Sequence, residues 1–170
     1  MITINVPAVP VAQPRPRAVG RFSKGKVVAR VHEHTSIKQA DGSRKPHPIV
    51  AFKATCRMAA EQAYNGPPLS GPVVMRLMFV MPRPNNMIWK SKPMDVVEHT
   101  RKPDKDNLEK AVKDALTGIV WVDDSQVWAS EVFKVIASGQ ERPHVAIKII
   151  EQTLEEYARE HGEIWGVVTR

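Results

Sequence analysis

The chain is poor in cysteine, in acid and in long apolar runs. A single cysteine, Cys56, leaves no partner for an internal disulfide and suits a reducing cytoplasm. It falls on an apolar helical stripe, the place of buried filler rather than of a nucleophile. No apolar run approaches the roughly 20 residues that span a bilayer. The opening MITINVPAVPVAQPRPR has no charged segment ahead of an apolar one, so no secretory signal is expected. No internal repeat is visible. Acid is short overall, with 18 Asp and Glu against 25 Lys and Arg, a net charge of +7. The shortage is uneven. Residues 1–50 hold nine Lys and Arg against Glu33 and Asp41, whereas residues 151–170 hold five Glu against Arg159 and Arg170. With +7 overall and −3 in the tail, the first 150 residues carry +10. A basic body of this kind points to a polyanionic partner, nucleic acid first.

What is present fits one domain of 170 residues with length enough for a core. Residues 2–6 read as a strand entering a Pro/Arg-rich loop, with a second strand at 26–31 after Lys24-Gly25 and a polar loop over 35–48. A helix is expected over 48–64, with Ile49, Phe52, Cys56, Ala59 and Ala63 on one face and Pro48 in its first turn. Residues 72–81 are apolar on both faces, as in a central covered strand. A long loop follows over 82–103, carrying Arg83, Trp89, Lys90 and Lys92; burial is expected for Trp89, with stacking on an unpaired base the alternative. Leu108, Ala111, Val112, Ala115 and Leu116 mark an amphipathic helix. Asp106 is its expected N-cap, and Glu109 completes a capping box. Strands at 126–137 and 145–150 are expected to form a hairpin, with Trp121 and Trp128 in the core. A short helix over 151–161 turns Leu154, Tyr157 and Ala158 inward, and an apolar ending packs on the body or on another chain. The order predicts an α+β fold, a mixed sheet packed with helices.

Chemistry concentrates in RKPDKDNLEK, residues 101–110, where Asp104 and Asp106 stand among basic side chains. Carboxylates repel phosphate, so their presence in a basic patch needs a reason. Residues two apart in extended backbone point the same way, so both acids can converge at the helix start. Asp123-Asp124 offers a third acid where the chain returns to the sheet, and Lys110 lies one turn beyond Asp106. Carboxylates with water are the ligands Mg²⁺ prefers, and such a set suits metal-assisted phosphodiester hydrolysis. The same residues also have structural readings: a helix cap, a Lys110–Asp114 surface pair and an ordinary turn. A calcium loop is excluded, because Leu108 takes a liganding position and the required glycine is missing. An aspartyl-phosphate phosphatase is disfavoured, since no apolar strand precedes the acids. His32, Glu33 and His34 form a weaker metal candidate with no cysteine nearby.

Lys102-Pro103-Asp104-Lys105-Asp106-Asn107-Leu108-Glu109-Lys110, then Asp114-Ala115-Leu116-Thr117-Gly118, then Asp123-Asp124-Ser125-Gln126, resembles the RusA-like family of Holliday junction resolvases, common in phages and prophages. Arg15-Pro16-Arg17 resembles the family's R-P-R element, and His99 stands where a histidine often precedes the central motif. The resemblance spans most of residues 1–150, leaving 151–170 as an acidic helical extension. It implies Asp104, Asp106 and Asp124 as metal-binding catalytic acids, with Asp123 an alternative ligand, and Lys110 as the catalytic lysine. It also implies Mg²⁺ as cofactor, a homodimer, and paired nicks in a four-way DNA junction that leave 5′-phosphate ends. Arg15, Arg17, Arg21, Lys24, Lys26, Arg101 and Lys102 are the candidate DNA contacts. A nuclease preferring flaps or forks and a non-catalytic DNA-binding accessory protein are the alternatives.

Overall fold

Five strands form one mixed sheet. The computed structural model describes residues 1–15, 17–23, 26–32 and 35–162, with side chains described at 1–15 and 35–162. In chain order the elements are β1 (Ile2–Val6), β2 (Arg17–Ser23), β3 (Lys26–His32), β4 (Ser36–Lys38), β5 (Arg44–Pro46), α1 (Pro48–Ala63), β6 (Val73–Met81), β7 (Val97–Glu98), α2 (Lys105–Leu116), β8 (Val127–Ile136), β9 (His144–Glu151) and α3 (Leu154–His161). The sheet order is β1-β9-β6-β8-β7, with β6 and β8 parallel and the other pairs antiparallel. β2–β3 and β4–β5 are separate two-stranded hairpins. The α+β expectation holds.

Strand β6 takes the centre because it is apolar on both faces. Its odd-numbered residues, Val73 to Met81, join Ile4, Val6, Val145, Ile147 and Ile149 in one core. α1 and α2 cover that face, burying Phe52 and Cys56 from one helix and Leu108, Val112 and Leu116 from the other. Burial pushes the Cys56 thiol up to about 12, so it is inert filler. A buried Leu or Val contributes about 1.5–3 kcal/mol, against about 1 kcal/mol for a good N-cap. Packing therefore contributes more than any cap to the placement of α2.

Several expectations are corrected. β8 and β9 are not a hairpin, because β6 lies between them and pairs with both. Residues 17–23 are a strand paired with β3 rather than loop, and the polar 35–48 stretch contains the small β4–β5 hairpin. On α1, Ala60 is buried in place of Ala63. On the opposite sheet face α3 packs Tyr157 edge-on to Trp128, with Leu154 exposed. Trp128 is half-exposed there, its indole donating to the Gln152 carbonyl, whereas Trp121 is fully buried as expected. Trp89 is 42% exposed, contrary to the expected burial. Its loop is tied down from within by Arg83, which donates to the carbonyls of Ala137, Met87 and Asp95. Glu33, His34 and the apolar ending 163–170 lie outside the described residues.

Candidate active site

The start of α2 is set by a lysine on β8. Lys134 donates to the carbonyls of Arg101 and Pro103, both at 2.6 Å, and the His99 amide bonds to the Lys134 carbonyl at 3.0 Å. Residues 99–103 are thereby fastened to the sheet, and the chain turns into helix directly after Pro103. The N-cap is accordingly Asp104, with φ −69° and ψ 142°, and not Asp106, which lies in the first turn. The expected Asp106–Glu109 capping box does not form. Glu109 instead accepts from Ser130 at 2.8 Å and pairs with Lys113 at 2.9 Å, joining α2 to β8.

Asp104 holds the cap position but makes no side-chain cap hydrogen bond. Its carboxylate is 49% exposed, and its partner is the Arg15 guanidinium at 3.4 Å. That arginine is brought over the helix start by the adjoining strap, where the Gln13 amide donates to the Asn107 carbonyl at 2.9 Å. Gln13, Arg15, Lys102, Asp104 and Asn107 line an open cleft of about 600 Å³. Asp106 and Lys110 are exposed and one turn apart on the same helix.

The second acidic pair is built differently. Asp123 caps a 3-10 turn, Asp124–Gln126, in a reciprocal capping box with Gln126. Its carboxylate accepts from the Ser125 amide at 2.9 Å, while the Gln126 side chain donates to the carbonyls of Leu69 and Gly71. Hydrogen bonds from Ser125, hydroxyl first and then amide, hold the Asp123 carboxyl below its ordinary range. Asp124 is exposed and has no such bond among the described residues.

The two pairs stand at opposite ends of α2. Along β8, Lys134 sits beside residues 101–103, Ser130 beside Glu109, and Asp124 lies six residues further back, past the end of the helix. The twelve residues of α2 span about 18 Å. Among the described residues no three His, Cys, Asp or Glu side chains are grouped closely enough to hold a metal ion. The chain does run back along the sheet after α2, but Asp124 stands where that return begins. Asp104 and Asp106 nevertheless fit magnesium by their chemistry, since that ion is commonly held by one or two carboxylates, waters and substrate phosphate oxygens.

Of the expected DNA contacts, Arg15, Arg101 and Lys102 are exposed around the helix start. Arg17, Arg21 and Lys26 lie on β2 and β3, with side chains outside the described residues, as Lys24 is entirely. Among the described residues the buried His99 Nδ1 has no partner, and burial, then the Lys134 charge, lowers its affinity for a proton. Sequence reasoning missed Lys134 and, on α1, Lys53 and Arg57. The latter pair was visible as a basic i, i+4 spacing beside the apolar stripe.

Residues 7–150 match the family described as Endodeoxyribonuclease RusA. An uncharacterized protein, YqaN of Bacillus subtilis (strain 168), is 33% identical over 155 residues, which is 88% of this chain and 96% of that protein.

Proposed function

The chain belongs to the RusA endodeoxyribonuclease family, and from that premise we propose that it is a Mg²⁺-dependent endonuclease resolving four-way DNA junctions by paired symmetric nicks. The observation that carries this reading is Asp104, a cap residue whose carboxylate is left out of the cap and faces an open cleft beside Asp106. Asp104 and Asp106 would hold the metal. When bound, Mg²⁺ supplies charge neutralisation at the phosphate and a water of lowered pKa. In the hydrolysis a water oxygen bonds to phosphorus and the P–O3′ bond breaks, leaving a 3′-hydroxyl and a 5′-phosphate. The Lys110 ammonium, one turn along α2, offsets negative charge that develops on the phosphoryl oxygens. Arg15, Arg101 and Lys102 neutralise flanking phosphates and position the strand.

Asp124 is the third carboxylate of this reading, and Asp123 serves its own turn. Within one chain Asp124 is at the far end of α2, so its part in the site requires a second copy of the chain. A homodimer meets that need and matches the two-fold symmetry of paired cuts. A flap- or fork-directed nuclease would use the same residues. Purified protein with Mg²⁺ on end-labelled synthetic four-way junction, flap and plain duplex separates these readings. Symmetric nicks in the junction, at least tenfold faster than cuts in flap or duplex, are expected. Preferential flap cleavage would replace the resolvase reading, and a bound but intact junction would remove it.

A further inference from the structure

The helices α1 and α2 lie side by side on the sheet, and a cleft of about 830 Å³ opens between them. Its α1 wall presents Ile49, Lys53 and Arg57, spaced four residues apart along one face. Its α2 wall presents Asn107, Lys110 and Asp114, three and four apart. Lys53 Nζ donates to Asp114 Oδ2 at 2.9 Å, and both groups are about three-quarters buried. Asp114 is thus tied to α1 rather than to Lys110 on its own helix, although the i, i+4 spacing allows that pair. The consequence is a cation-rich cleft. Among the described residues Arg15, Lys53, Arg57 and Lys110 line it with one acid, Asp114, which pairs with Lys53, while Arg15 reaches Asp104. Among the described residues Arg57 and Lys110 have no carboxylate partner.

This cleft is continuous with the one at Asp104, because Gln13, Arg15 and Asn107 line both. Its lining has the composition that a sugar–phosphate backbone requires. Guanidinium and ammonium groups serve the phosphate, and Ile49, Val50 and Ala54 give an apolar wall for a deoxyribose ring. We propose that the α1–α2 cleft is a phosphate subsite for the DNA strand adjoining the scissile bond, with Arg57 its main contact and Lys53, held by Asp114, its second. The inference rests on the reading of the α2 start as the nuclease site and adds α1 to the DNA-binding surface.

The test is affinity for a labelled four-way junction, measured with Ca²⁺ in place of Mg²⁺ to prevent cleavage, across a salt series for wild type, Arg57→Gln and Arg57→Lys. Arg57 is exposed, so unchanged thermal melting is expected for both variants. For Arg57→Gln the slope of log affinity against log salt should become shallower by about 0.7–0.9, the value of one phosphate contact, and affinity at moderate salt should fall about threefold to tenfold. Arg57→Lys should keep the wild-type slope. Replacing single phosphates near the cut by uncharged methylphosphonate should reveal one position that weakens wild type and does not further weaken Arg57→Gln. An unchanged slope, or penalties that multiply at every position, overturns the subsite. A wild-type protein that neither binds nor cuts the junction would instead refute the nuclease reading on which the subsite rests.

Discussion

Two pairs of acids flank helix α2, and the cap residue of each, Asp104 and Asp123, stands in opposite circumstances. At the C-terminal end, Asp123 caps a 3-10 turn and its carboxylate is held by Ser125, with Gln126 completing the box and pinning the turn to the loop before β6. At the N-terminal end, Asp104 occupies a cap position and makes no cap bond, because Lys134 and the apolar face of α2 already fix where the helix begins. An aspartate that caps is accounted for by the fold. An aspartate at a cap that does not cap, exposed to an open cleft beside a second acid and several cations, is left unaccounted for by the fold. The difference also divides Asp123 from Asp124, neighbours that spacing alone leaves equivalent.

The strongest way to break this comparison is to separate the two ends of α2 genetically. Asp106→Asn and Asp124→Asn should each lower junction cleavage by about a hundredfold or more, the scale of losing one stabilising group at a reacting phosphate. If Asp124 serves a partner's site, mixing the two inactive proteins with time for subunit exchange should restore cleavage. One of the two sites in each mixed dimer would then be intact, while the other carries both lesions. No recovery from a mixture shown to contain mixed dimers would place all the acids in one chain's site.

A smaller effect sharpens the structural half. Asp123→Ala should leave cleavage near wild type and lower the thermal midpoint slightly at neutral pH. The Asp123 carboxyl titrates below its ordinary value of 3.8 in the folded state. Its contribution is therefore present above pH 3.8 and lost as pH falls through the folded value. Melting curves for wild type and Asp123→Ala should converge on acidification over that interval. A gap that stays constant there would mean that Asp123 does not act through its charge.

Much of this was legible along the chain, and the limits have physical causes. The helical faces of α1 and α2 were readable from Phe52, Cys56, Leu108 and Val112, because a buried stripe imposes its period locally. The central place of β6 followed from apolar residues on both its faces. Strand pairing was not legible, since β8 and β9 are close in sequence yet both seek β6. The cap moved from Asp106 to Asp104 because Lys134, thirty residues away, fastens the chain just ahead of the helix. The spacing that carries the family likeness was visible in Asp104, Asp106, Lys110 and Asp124. Their distribution over two ends of a helix was not, because spacing states which residues occur together and not how far apart the fold sets them. The cleft at Arg57 was hidden for a related reason: its wall depends on a Lys53–Asp114 pair spanning 61 residues.

The most direct measurement of the central claim pairs binding with cleavage for Asp104→Asn on one synthetic four-way junction in Mg²⁺. Loss of metal support predicts cleavage reduced by about a hundredfold or more. Junction binding in the same samples should be retained or tightened, since a carboxylate that repels phosphate has been removed. Cleavage at the wild-type rate would contradict the account, because the acid left free at the start of α2 would then have no part in the chemistry.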